Sequence, residues 1–321
     1  MNILVWHHHG SWMTNFVRGR HTYVVPVVGD RGVDGRGRAM TWNWPDRVVE
    51  RTPDELSETP IDVVIVQSPR ELELAGQWLG GRRPGPDVPL VWLEHNAPQG
   101  RINEMCHPAR DRDDVTIVHV THTNALFWDT GRTRVEVIEH GVADPGYMYS
   151  GEVEASGVVI NEPVRRCRVT GTDLLPRFGA AGSVELYGMG TERLHAALGR
   201  PSWLRAHGDV PQHAMHRSLA GCRCYVHPFR WTSLGLSLVE AMLLGLPVVA
   251  LATTEVPAVV PPSAGVVSHD VDALVTAARR FQRDPVAAAD VGRAGRAHAL
   301  ERFSLERFLS DWDQLLEVMC R

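Results

Sequence analysis

Four groups of side chains in this chain have types and spacings that could do chemistry. They are the histidines at 7, 8 and 9 ahead of Gly10, a histidine at 95 after a strand, arginines at 165, 166 and 168, and the segment from Tyr225 to Ala250. The last is the most informative. A strand ends at His227, a loop carries Gly235, and a helix opens at about Leu236; Gly245 stops it and Pro247 bars its continuation into the strand at 248–251. A strand, a glycine turn and a helix N-terminus form an anion site, because unpaired N–H groups and the positive dipole end face one point. Glu240, one turn further in, is placed to accept two ribose hydroxyls beside a bound diphosphate. Spacing alone leaves a second reading open, an ordinary strand-to-helix turn with a surface glutamate.

The elements that must position these groups are legible as short Val/Ile/Leu runs alternating with helical patterns. Strands are expected at 3–6, 23–28, 61–67, 90–93, 116–120 and 135–138, and again at 158–160, 184–187, 204–207, 224–227, 248–251 and 265–267, with helices at 173–178, 211–220 and 236–244. Continuous apolar strands joined by helices predict parallel sheets covered on both faces, here two doubly wound α/β domains. The expected division is 1–145 and 150–303, with a helix over 304–321 packing back on the first domain. The Gly- and Arg-rich stretch 30–44 reads equally as a substrate-facing loop or as a solvated connector with its tryptophans packed underneath.

Composition narrows the chemistry. The 321 residues carry 33 basic side chains, all of them arginine, and 38 acidic ones, for a net charge of −5. Without lysine there is no Schiff base, no pyridoxal anchor and no phosphate-loop ammonium. The net charge supplies no field for nucleic acid or an anionic membrane. Five scattered cysteines with no C-x-x-C support neither a disulfide framework nor a zinc knuckle. Side chains adjacent in a strand point to opposite faces, so of the three histidines only those at 7 and 9 converge, and no metal is expected. The start MNILVWHHHG enters a strand directly, and no apolar run reaches the roughly 18 residues that span a bilayer. The expectation is a cytoplasmic protein, and the Arg, Ala, Gly and Val excess matches GC-rich bacterial coding.

The segment H-P-F-R-W-T-S-L-G-L-S-L-V-E-A-M-L-L-G-L-P-V-V-A resembles the signature of the retaining nucleotide-sugar glycosyltransferases of the GT-B fold, the large sucrose-synthase and bacterial hexosyltransferase family (family four-like). The resemblance implies two Rossmann-like domains facing across a cleft. It places Glu240 on the ribose and Ser233, Leu234, Gly235 and Leu236 at the distal phosphate. Thr232 stands where the family has an acid that contacts sugar hydroxyls. In N-E-P-V-R-R-C-R-V-T-G-T-D, Arg165 matches the family's arginine, Thr170 replaces its lysine, and Arg168 or Arg166 stands in for the missing charge. Y-G-M-G with Gly188 and H-G-D-V-P with Val210 match donor-binding turns, V-W-L-E-H-N places His95 on a catalytic histidine, and Gly10 matches the first strand-to-helix glycine.

The implied activity is metal-independent retaining transfer from a nucleotide sugar to a small-molecule or glycan acceptor, without a cofactor. No carboxylate pair suited to a glycosidase is identifiable. The alternative is a non-catalytic nucleotide-sugar or sugar-phosphate binder, suggested by Thr170 and Thr232. A hydrolase or epimerase of the same fold would need a general base that the sequence does not reveal. Trp12, Trp42, Trp44 and Trp92 are candidates for stacking on an acceptor ring.

Overall fold

The computed structural model describes every residue except His9. The chain divides into two compact units, 1–141 with 305–321, and 142–304.

In the first unit, β1 (Asn2–Val5) leads to α1 (Gly10–Phe16), followed by β2 (Thr22–Pro26), β3 (Val48–Arg51) and α2 (Pro53–Glu58). Then come β4 (Val63–Val66), α3 (Pro69–Trp78), β5 (Leu90–Glu94), β6 (Thr116–His119), α4 (His122–Phe127) and β7 (Arg134–Val137). The seven strands are all parallel, in the order β3-β2-β1-β4-β5-β6-β7. β4, β5 and β6 are buried throughout, as expected for strands covered on both faces. The strand order reverses between β1 and β4, so the crevice beyond their C-terminal ends is the natural ligand position.

The second unit opens with β8 (Val153–Val159) and α5 (Pro163–Thr170). A 3-10 turn (Thr172–Leu174) precedes α6 (Leu175–Gly179), β9 (Ser183–Tyr187), α7 (Leu194–Ala197) and β10 (Leu204–Ala206). Next are α8 (Gln212–Gly221), β11 (Cys222–His227), α9 (Leu236–Leu244), β12 (Val248–Leu251), α10 (Val256–Val259) and β13 (Gly265–Ser268). Its six parallel strands run β10-β9-β8-β11-β12-β13 and reverse between β8 and β11. Both α5 and the α9 turn therefore leave the sheet at the switch point. α11 (Val271–Arg283) and α12 (Pro285–Arg302) complete this unit.

The last helix, α13 (Leu305–Met319), belongs to the first unit. Its Phe308 and Trp312 are fully buried beside Trp12 and Phe16 of α1, with ring centroids 5.0–6.4 Å apart. Gly141 lies against Phe308 so closely that a Cβ would overlap its ring.

Three expectations need correction. β3 was missed: its V-V-E-R is a short edge strand whose last three residues are only half-buried. The helix expected at 173–178 is a 3-10 turn followed by α6, because Pro176 follows so closely after Gly171. Trp12, Trp44 and Trp92 are 3%, 3% and 2% exposed, so they are core side chains rather than open stacking platforms. Stretch 30–44 is a laced connector. Arg38 donates to the carbonyls of Trp44, Pro45 and Val48, and Trp44 packs beneath with its indole on Thr14 Oγ1 at 2.9 Å.

Candidate active site

Helix α9 opens without a side-chain cap. Its N-cap is Gly235, which has no side chain to satisfy the first N–H groups, and its C-terminus closes on Gly245 at φ +94. Beneath the N-terminus lie Tyr225, Ser237 and His227. Tyr225 Oη is 2.9 Å from Ser237 Oγ and 3.3 Å from His227 Nδ1, and the imidazole stacks on Phe229 at 4.5 Å. Burial pushes His227 down to about 3, so this floor is uncharged. Ser233 and Leu234 are buried in the turn, while Thr232, Gly235 and Leu236 are half-buried.

Glu240 is 5% exposed in the second turn of α9. Its Oε1 accepts Gln212 Nε2 at 2.7 Å, and its Oε2 lies 3.3 Å from His216 Nε2. Gln212 thus orients the carboxylate, with His216 one turn further along α8 packed beside it. A carboxylate has about four acceptor positions, so capacity remains for ligand hydroxyls.

The arginine loop follows β8. Glu162 and Cys167 both take positive φ, +56 and +29, so α5 is a kinked turn rather than a regular helix. Arg165 and Arg168 are exposed; Arg165 Nε is 3.5 Å from Glu162 and Arg168 is 3.2 Å from Asp173. Arg166 is half-buried, and burial together with the Arg165 charge pushes its guanidinium below the ordinary value. Thr170 is fully buried, bonding the Cys167 carbonyl at 3.1 Å and Thr172 Oγ1 at 2.9 Å, so it does not occupy the space of an outward-reaching lysine.

Arg230, which the sequence reading passed over, ties this loop to the α9 turn. Its guanidinium grips Asp173 at 2.5 and 2.9 Å and donates to the Arg168 carbonyl at 2.9 Å. The Arg230 and Trp231 N–H groups both donate to the Val169 carbonyl. Arg230 holds the Asp173 carboxyl below the usual carboxylate range. Gly171, at φ +71, lies so close that a Cβ would overlap the Pro228 carbonyl oxygen. The arginines and the helix N-terminus therefore form one stitched surface.

Two further turns border it. Gly188, at φ +129, leaves no room for a Cβ beside the Ile160 carbonyl, and its N–H donates to the Gly208 carbonyl at 3.0 Å. His207 stacks on Tyr187 at 4.6 Å and contacts Glu185 at 2.5 Å; Val210, half-buried, packs on the core just beyond.

In the first unit, His95 follows β5 and is 8% exposed. Gln67 donates Nε2 to the Trp6 carbonyl at 3.0 Å, which orients its amide and leaves Oε1 facing His95 Nε2 at 3.0 Å. An accepting Oε1 selects the tautomer of the neutral ring with the proton on Nε2. Trp12 meets the ring edge-on at 5.3 Å. Gly10 opens α1, 3.4 Å from Trp42 Nε1 as measured from where a Cβ would stand. His7 Nδ1 is 3.1 Å from the Gly37 carbonyl, whereas His8 lies 3.6 Å from Glu71, a carboxylate the sequence had not placed there. His9, the third of the run, lies outside the described residues.

Comparison with known proteins adds a domain to this geometry. Residues 173–284 match the family described as Glycosyl transferases group 1. The match covers the turn, α8 and α9, including Glu240 and Arg230. No curated protein sequence matches the chain. Among solved structures, the chain is similar to a sucrose-phosphate synthase from Thermosynechococcus elongatus, at 15% identity over 99% of both chains, TM-score 0.73. It is likewise similar to HepE of Anabaena in complex with UDP and glucose, at 15% identity over 99% of this chain and 100% of that one, TM-score 0.72. TarM of S. aureus matches at 14% identity over 79% of this chain and 55% of its own, TM-score 0.62. The fold is α/β, of the GT-B type, and the matched domain supports an enzyme of glycosyl transfer. Among the described residues no helix is long and apolar enough to cross a membrane.

Proposed function

We propose that the chain is a retaining glycosyltransferase that takes a nucleotide-sugar donor in its second unit and transfers the sugar to a small-molecule or glycan acceptor without a metal. The observation that carries this reading is Glu240, hydrogen-bonded by Gln212 behind a helix N-terminus bonded through Arg230 to the arginine loop. Glu240 binds the ribose hydroxyls, and the α9 turn from Thr232 to Leu236 binds the distal phosphate. Arg165 and Arg168 stabilise the departing diphosphate, whose charge accumulates as the glycosidic bond breaks. The resemblance assigns His95, oriented by Gln67, to a hydroxyl of the donor sugar. Front-face substitution, with the leaving phosphate taking the acceptor's proton, requires no separate base.

The burial of Thr170 favours one second reading, a nucleotide-sugar binder without turnover. Arg165→Ala and Arg168→Ala separate the two. For an enzyme, nucleoside diphosphate release should fall by about a hundredfold or more, the scale of losing one preorganised charge-stabilising group, while donor affinity falls less. Wild-type protein that binds donor yet releases no diphosphate with a broad acceptor panel would establish the binder instead.

A further inference from the structure

The first unit contains a cavity of about 340 Å³ beyond the C-terminal ends of β4 and β5. Successive strand residues point to opposite faces, so Glu94 turns to this cavity and His107 while His95 turns to Trp12. Gln67 lies at the cavity wall and also bonds His95, joining the two sides.

The walls have one chemical character. Half-buried Trp128 supplies aromatic surface over the buried Trp92, and Gln67, Asn96 and Gln99 supply carboxamides. Glu94 is the one ionisable side chain among the described lining residues, which include no arginine. The groups are fixed before any ligand arrives. Trp128 donates its indole N–H to the Asn96 carbonyl at 2.8 Å, and Glu94 Oε1 accepts the Asn96 N–H at 2.8 Å. His107 Nδ1 accepts the Ala109 N–H at 3.1 Å, which leaves the ring proton on Nε2, 3.5 Å from Glu94 Oε2. The buried Trp92 indole N–H has no acceptor among the described residues.

We propose that this cavity binds a neutral, hydroxyl-rich ring, a sugar or polyol, and serves as the acceptor subsite; the role as acceptor subsite rests on the glycosyl-transfer reading. An oriented carboxylate accepts hydroxyl donors, the carboxamides pair with neighbouring hydroxyls, and Trp128 covers the ring's C–H surface. A phosphorylated ligand meets no cation there and is repelled by Glu94.

The test uses the full chain with glucose, galactose, mannose and inositol as probes. Binding is read by saturation-transfer NMR, with and without a saturating nucleoside diphosphate. At least one probe should bind in both conditions. Glu94→Gln and Trp128→Ala should each weaken it by about tenfold, the scale of one lost ligand contact. Gln99→Ala, at an exposed residue, should weaken it less and keeps the test available if a buried variant does not fold. Glucose 6-phosphate should bind more weakly than glucose. No binding by any probe, unchanged binding in all folded variants, or tighter binding of the phosphate overturns the assignment. Nucleotide binding in the same samples is read separately. Its absence counts against glycosyl transfer, whereas its presence with no probe bound counts against this cavity alone.

Discussion

Glu240 is a carboxylate with one oxygen already held, because Gln212 donates to Oε1, while Oε2 lies 3.3 Å from His216 Nε2. Glu240→Ala should weaken nucleoside diphosphate binding by about 1–3 kcal/mol through lost charge-assisted hydrogen bonds. Gln212→Ala leaves the carboxylate in place but less well oriented, so it should raise KM for the donor more than it lowers kcat. Calorimetric affinity unchanged in folded Glu240→Ala would remove that residue from the site. The sequence showed Glu240 because helix spacing and a glycine turn are local signals. It did not show Gln212, 28 residues away, or Arg230's grip on Asp173, 57 residues away. Such partners are chosen by how strands and helices stack, and no spacing encodes them. Trp128 escaped notice for the same reason, since its fixed position depends on the Asn96 carbonyl.

At the scale of elements, buried strand ends carry a pH signature. Burial lowers His119, at the end of β6, to about 3 and His227, at the end of β11, likewise to about 3 from the ordinary 6.5. Below pH 6.5 the unfolded chain takes up these protons, while the folded chain refuses them until about pH 3. Stability is therefore full above pH 6.5 and falls as the pH drops below it, by about 1.4 kcal/mol per unit for each histidine. Urea midpoints at neutral and mildly acidic pH should show this slope, and His119→Gln should reduce it by one proton's worth. Loop geometry makes a second prediction. Gly171→Ala forces a side chain into positive φ and against the Pro228 carbonyl, so it should cost about 1–3 kcal/mol and loosen the arginine loop. Unchanged stability and donor affinity would show that the α9 turn yields without consequence. The interior strands were legible because continuous apolar runs are unambiguous. The α5 turn was not, because its backbone depends on positive φ at Glu162 and Cys167.

For the whole molecule, charge stabilisation by arginine and helix ends implies turnover that survives chelation. Activity lost in EDTA and restored by manganese or zinc would overturn the metal-free reading and return attention to the histidines beside Gly10. A nucleoside diphosphate should raise the melting temperature in proportion to the logarithm of its concentration, as any ligand of the native state does.

The return of α13 to the first unit has a consequence for biosynthesis. Phe308 and Trp312 are interior side chains of a core whose other members lie almost entirely before residue 142. On the ribosome, the segment made first must wait with its aromatic cluster around Trp12 and Phe16 incomplete until α13 emerges. Residues 142–304, made later, have all their partners earlier. The order of completion is thus reversed relative to the order of synthesis, and the waiting segment is where nascent chains of this protein are most exposed to capture by chaperones.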